Sequence, residues 1–153
     1  MVDKFWTTYI KPKGKNNLIF MPSKTPIILN EKRAREKFNE IREEYRGIKA
    51  TIDETKRSFD ALKQIGSAQS LKLMHIKRDG TPEKDKRIET GYLIAIYAKT
   101  EITAMKISKL YFALSKNRYA DPTERESAQI LAEDYRNCAL NYNKEQFRLS
   151  RRN

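Results

Sequence analysis

The sequence predicts an all-α fold: an N-terminal extended arm followed by three long heptad-patterned helices in a coiled-coil-like helical bundle. Three observations carry that expectation. Apolar residues recur at alternating intervals of four and three over long stretches, the spacing that puts a continuous oily stripe on one side of a helix. Charged residues make up 34% of the chain and hydrophobic residues 39%, a balance suited to helices that each bury one stripe. Only five glycines and five prolines are present, too few to punctuate a many-stranded β fold.

The arm is assigned to residues 1–29 and the helical domain to 30–153. Pro12, Pro22 and Pro26 crowd the arm, with Gly14 inside the run Lys11-Pro-Lys-Gly-Lys15. Prolines at that spacing remove backbone donors and oppose a helix. Two apolar runs, Leu18–Met21 and Ile27–Leu29, and the aromatics Phe5, Trp6 and Tyr9 give the arm more apolar content than a free tail carries. Docking against another subunit is the expected use.

Asn30 reads as the N-cap of the first helix, with Glu31 in its first turn. Ala34, Phe38, Ile41, Tyr45, Ile48, Ile52, Thr55, Phe59 and Leu62 then follow at intervals of four and three. Residues 31–65 are expected to form one continuous rod, ended by Gly66 as a C′ glycine. Residues 67–91 are ambiguous. Leu71–Lys77 alternates partly and Arg78-Asp-Gly-Thr-Pro82 is a turn signal, which leaves open a short β-hairpin around 71–90.

The second helix is expected over 91–117. Leu93, Ile96, Thr100, Thr103, Ile107, Leu110 and Leu114 keep the heptad rhythm, and Ala95, Ala98, Ile102, Met105 and Phe112 form a second apolar face. Two apolar sides predict a central helix packed by more than one neighbour. Asn117–Pro122 breaks the chain, and Asp121, Pro122 and Glu124 make a helix start. Ala128, Leu131, Tyr135, Cys138, Tyr142 and Leu149 continue the stripe to the basic C-terminus. The aromatics Phe38, Tyr45, Phe59, Tyr92, Phe112, Tyr135 and Tyr142 are expected in the core.

A net charge of +12 and a pI near 9.8 draw the chain toward polyanions, nucleic acid first. On the first helix the position following one core column is Arg35, Arg42, Lys49, Lys56 and Lys63. At ~1.5 Å per residue these five cations span roughly 42 Å, a ladder able to follow a phosphate backbone. The competing role is pairing with acids of a neighbouring helix, Glu101, Glu133 and Asp134 being the partners expected. A second cluster, Lys11, Lys13 and Lys15 with Lys4 and Trp6, alternates cations with aromatics as single-stranded nucleic acid requires. A third, Lys72, Lys77, Arg78, Lys84, Lys86 and Arg87, is diluted by acids and reads as a solvated loop.

Catalysis is not expected. His75 is the sole histidine and Cys138 the sole cysteine, which excludes an intramolecular disulfide and a two-histidine metal site. The glycines are scattered, with no phosphate loop, and adjacent acids such as Glu43-Glu44, Asp53-Glu54 and Glu133-Asp134 point in different directions on a helix. No metal, cofactor or small-molecule substrate is expected. No apolar run is long enough to cross a membrane and no signal peptide is legible, so the expected location is the cytoplasm or a virion assembled there. The functional expectation is a non-enzymatic nucleic-acid-binding protein of a self-associating assembly (coat, packaging or recombination accessory, of viral type). A helical scaffold, adaptor or inhibitor gripping an acidic protein is the alternative.

Overall fold

The computed structural model describes residues 25–151, with side chains from Asn30 onward. They form three helices and, among the described residues, no strand: α1 (Thr25–Arg78), α2 (Glu83–Lys116) and α3 (Pro122–Arg151). The arm from residue 1 to 24, with Trp6, Lys11, Lys13 and Lys15, lies outside the described residues. The last five residues of the expected arm belong to α1 instead, so Asn30 sits inside the helix rather than capping it. Pro26 is tolerated there because the first helical turn needs no intrahelical donor from it.

Helix α1 is one rod of 54 residues, about 80 Å long. It runs through Gly66 rather than ending there, and α2 begins at Glu83 rather than 91, so helix occupies the place of the hairpin expected around 71–90. Gly66 is buried where α1 passes close to α2: a Cβ on it would lie 3.4 Å from the Tyr97 ring and 3.5 Å from Ile96. Those are ordinary contact distances, so the site has room for a methyl group but not for a large side chain, and the helix absorbs glycine's modest propensity cost. The turn signal at 78–82 is used, but it joins two helices. Gly80 takes a φ of 68°, the left-handed conformation that glycine adopts without strain.

The helices run up, down and up. Across the α1–α2 seam, Asn117 reaches Ile41 at one end and Gln69 reaches Glu89 toward the other, so the two are antiparallel. Ser108 bonding Ala132, and Glu101 bonding Gln146, make α2 and α3 antiparallel as well. Both neighbours pack on α2, which is the central helix as its pattern predicts. Helices α1 and α3 run side by side and meet through side chains, chiefly Phe59 with Tyr135 and Tyr142 at ring separations of 5.6 and 6.4 Å.

The principal core joins Ile52 and Phe59 of α1, Ala104, Ile107, Tyr111 and Leu114 of α2, and Ala128, Ala132 and Ala139 of α3. Small residues on α3 let its backbone approach α2 closely, and there the Ser108 hydroxyl donates a 2.6 Å bond to the Ala132 carbonyl. A second cluster of Leu73, Leu93 and Leu149 continues the packing toward the α1–α2 turn. Between α2 and α3, Asn117 clips the loop: its amide nitrogen donates to the Ile41 carbonyl at 3.1 Å, and its Oδ1 accepts the backbone N–H groups of Tyr119 and Ala120. Asp121 caps α3 as expected, accepting the Glu124 N–H at 2.8 Å.

Of the second apolar face of α2, Met105 packs against the core while Ile102 and Phe112 do not. Tyr92, Ile102 and Phe112 are exposed, against expectation. The inward side of α2 buries Thr90, Thr100 and Ser108 in their place. Two of these satisfy their hydroxyls on the preceding turn, Thr90 on the Lys86 carbonyl and Thr100 on that of Ile96. Phe38, Tyr45, Phe59, Tyr135 and Tyr142 pack as expected, Phe38 and Tyr45 against Tyr119.

Candidate nucleic-acid interface

The basic ladder of α1 lies along the seam facing α3, and its members have different fates. Lys49 Nζ sits 2.9 Å from Glu124 Oε2 and 3.2 Å from the Tyr45 hydroxyl. The hydrogen bond to Glu124 is the main reason the lysine's pKa is raised above the ordinary value. Lys56 Nζ donates to the Tyr111 hydroxyl at 3.4 Å. Lys63 Nζ stands 5.5 Å from the Phe59 ring centroid. Arg42 is half-buried, with its Nε shielded from solvent and without a hydrogen-bond partner among the described residues. Arg35 is exposed near the start of the rod. The five are therefore brought onto one flank, but three of them are engaged with the bundle.

The acid that meets this ladder is Glu124. Glu101 bonds Asn143 and Gln146 of α3 instead, and Glu133 and Asp134 are exposed. A cleft of about 270 Å³ opens at the same seam, with Lys49, Ile52, Tyr111, Glu124 and Leu131 among its lining. No histidine or cysteine lines it. Cys138 is a half-buried free thiol, its pKa pushed up by burial, and His75 is exposed near the end of α1. Among the described residues no group of three or more His, Cys, Asp or Glu side chains converges to hold a metal, and none of the described helices is long and apolar enough to cross a membrane.

A different surface emerges on α2. From Lys86 to Lys116 this helix holds two carboxylates, and both are turned toward its neighbours. Glu89 accepts a 2.6 Å bond from the Gln69 amide and lies 3.2 Å from Lys72, both on α1. The Gln69 bond leads in holding its carboxyl below the usual carboxylate range. Glu101 faces α3. The outward side is left with Lys99, Lys106, Lys109 and Lys116, all exposed, among the exposed Tyr92, Ile102 and Phe112. Lys116 Nζ stands 5.2 Å from the Phe112 ring centroid. Lys99 to Lys116 covers about 25 Å of helix.

The sequence pattern hides this face because apolar spacing alone places Ile102 and Phe112 in the core. A signal for it is nonetheless present. Lys99 and Lys106, and Lys109 and Lys116, are each seven residues apart, with no acid between Glu101 and Lys116.

The fold and this surface define a basic, all-α, three-helix bundle with one acid-free helix face. The chain matches no protein-family model, no curated protein and no solved structure.

Proposed function

We propose that the protein binds nucleic acid through the outward face of α2, as a non-enzymatic component of an assembly of its own copies. The observation that carries this reading is the segregation of charge on α2: its two carboxylates beyond Lys86 are bonded inward, while four lysines stand exposed together. Four cations along about 25 Å attract consecutive phosphates by release of condensed counterions. Phe112 and Tyr92 offer flat surfaces for unstacked bases, which favours single-stranded segments. Arg35, at the exposed start of the α1 ladder, and Lys11, Lys13, Lys15 and Trp6 of the arm would extend the binding surface. Lys49, Lys56 and Lys63 contribute less, being engaged with Glu124 of α3, Tyr111 of α2 and the Phe59 ring of α1.

A second reading has one observation in its favour. Ile102, exposed to 69% between lysines, would suit an acidic partner protein that brings its own apolar side chains. Titration of a labelled oligonucleotide at increasing salt separates the two. Binding through α2 predicts an affinity that falls steeply with salt and depends weakly on base sequence; an affinity indifferent to salt would remove the nucleic-acid reading.

A further inference from the structure

The outer side of α3, opposite its core residues Ala128, Ala132 and Ala139, carries a second stripe at heptad spacing: Glu126, Ile130, Glu133, Asn137, Leu140, Lys144, Phe147 and Arg151. All eight are exposed, and the apolar three are heavily so, with Ile130 at 57%, Leu140 at 47% and Phe147 at 61%. Glu126, Glu133, Lys144 and Arg151 form no ion pair among the described residues. The intervals are four, three, four, three, four, three and four, the a and d spacing of a coiled-coil seam. Nothing in the bundle's own packing requires that regularity on the side facing away from it.

From this stripe we infer that two copies of the chain dimerise by antiparallel pairing of their α3 helices, around a two-fold axis between Asn137 and Leu140. The pattern is its own complement when reversed. Antiparallel pairing sets Glu126 opposite Arg151 of the partner subunit, Ile130 opposite the partner's Phe147, Glu133 opposite the partner's Lys144, and Asn137 opposite the partner's Leu140. Each a position meets a d position, as antiparallel seams require, and the two-fold repeats every pair. Opposite charges meet at both outer and inner layers, and Ile130 is buried against the largest apolar side chain of the stripe.

The alternatives pair fewer opposite charges on the same residues. Parallel pairing would stack glutamate on glutamate and lysine on lysine. Shifting the antiparallel register by one heptad in one direction sets Lys144 against Leu140 and Asn137 against Phe147. Shifting it in the other keeps Glu126 opposite Lys144 and Ile130 opposite Leu140, but sets Glu133 against Asn137 and Phe147 against Thr123 and leaves Arg151 beyond the end of the partner helix. Flanking positions also avoid conflict in the chosen register, with Asp134 near the partner's Asn141 and Arg136 near the partner's Asn143.

The inference rests on the assembly part of the proposed function and is independent of the nucleic-acid part. Sedimentation equilibrium of the full chain, in salt high enough to strip nucleic acid, tests it. The wild type should approach twice its 18.0 kDa mass as concentration rises. Glu133→Lys should weaken dimerisation about tenfold or more, since the two-fold applies each broken pair and each new repulsion twice. Adding Lys144→Glu to it should restore the dimer, whereas Glu54→Lys, an exposed site off the stripe with the same charge change, should leave it intact. A wild type that stays monomeric would overturn both this inference and the assembly reading. Self-association that Glu133→Lys leaves unaltered, or that the double variant fails to restore, would overturn the α3 pairing alone and leave assembly through another surface.

Discussion

Lys49 of α1 and Glu124 of α3 are 75 residues apart in the chain, yet their charged groups meet at 2.9 Å across the seam between the two helices. The Tyr45 hydroxyl donates to the other carboxylate oxygen, Oε1, at 2.7 Å. One α3 carboxylate thus holds two α1 side chains, a cation and a phenol.

Glu124→Gln should separate these two interactions. The amide oxygen still accepts from Tyr45, while the charge that attracts Lys49 is gone. Lys49 is about half exposed, so solvent screens the pair and the expected loss is below about 1 kcal/mol. Denaturant unfolding measures it, and a loss of several kcal/mol would show that the seam depends on the charge far more than its exposure allows.

Asn117→Ala should destabilise the bundle by about 1–2 kcal/mol, because it removes the acceptor for the buried Ala120 N–H and the tie to Ile41. The damage should be local to the α2–α3 loop, visible as faster amide exchange at Tyr119 and Ala120 with little change at Ile107.

The glycines of α1 should answer oppositely. Gly47 has open space around its missing side chain, so Gly47→Ala should stabilise by about 0.5–1 kcal/mol through helix propensity. Gly66→Leu should destabilise by about 1–3 kcal/mol, since the Tyr97 ring and Ile96 already occupy the space. Thermal melts of the two variants decide the matter.

Replacing Lys99, Lys106, Lys109 and Lys116 together with alanine should flatten the dependence of oligonucleotide affinity on salt. The log–log slope should shrink by about 3, at roughly 0.7 for each single-strand phosphate that is no longer neutralised. Replacing Lys49, Lys56 and Lys63 should change the slope less and stability more. Equal effects from the two sets would argue against α2 as the main binding face.

Stability should fall in alkali. Burial raises the Tyr135 and Tyr142 phenols and the Cys138 thiol, and the bond to Glu124 raises Tyr45. A raised pKa means that the folded state favours the protonated form. The contribution is complete below the unfolded values, 9.0 for the thiol and 10.0 for the phenols, and disappears as pH climbs through the folded ones. Urea midpoints should be insensitive to these groups near neutrality, begin to fall above pH 9.0 with the thiol and fall more steeply above pH 10.0 with the phenols. Tyr135→Phe should make the drop shallower.

Much of the fold is legible in one dimension because it is local. The alternation of fours and threes from Ala34 to Leu62 marks a rod whatever surrounds it, and Asp121-Pro122 starts α3 by backbone chemistry alone. Gly66 reads as a helix end because a glycine that stops a helix and a glycine buried within one look the same along the chain. The strand-like run Leu71–Lys77 is helix because Leu73 packs with Leu93 and Leu149, neighbours supplied by distant parts of the chain.

Residue type and near-neighbour spacing therefore suffice for most of the helical pattern, the break before α3 and the excess of positive charge. Which of those charges stay free for a partner is a matter of packing between helices. A cation's availability depends on what the next helix sets beside it. Glu124 takes up Lys49 and Tyr111 binds Lys56, while Gln69 and Gln146 turn Glu89 and Glu101 inward and Lys99, Lys106, Lys109 and Lys116 form no ion pair among the described residues.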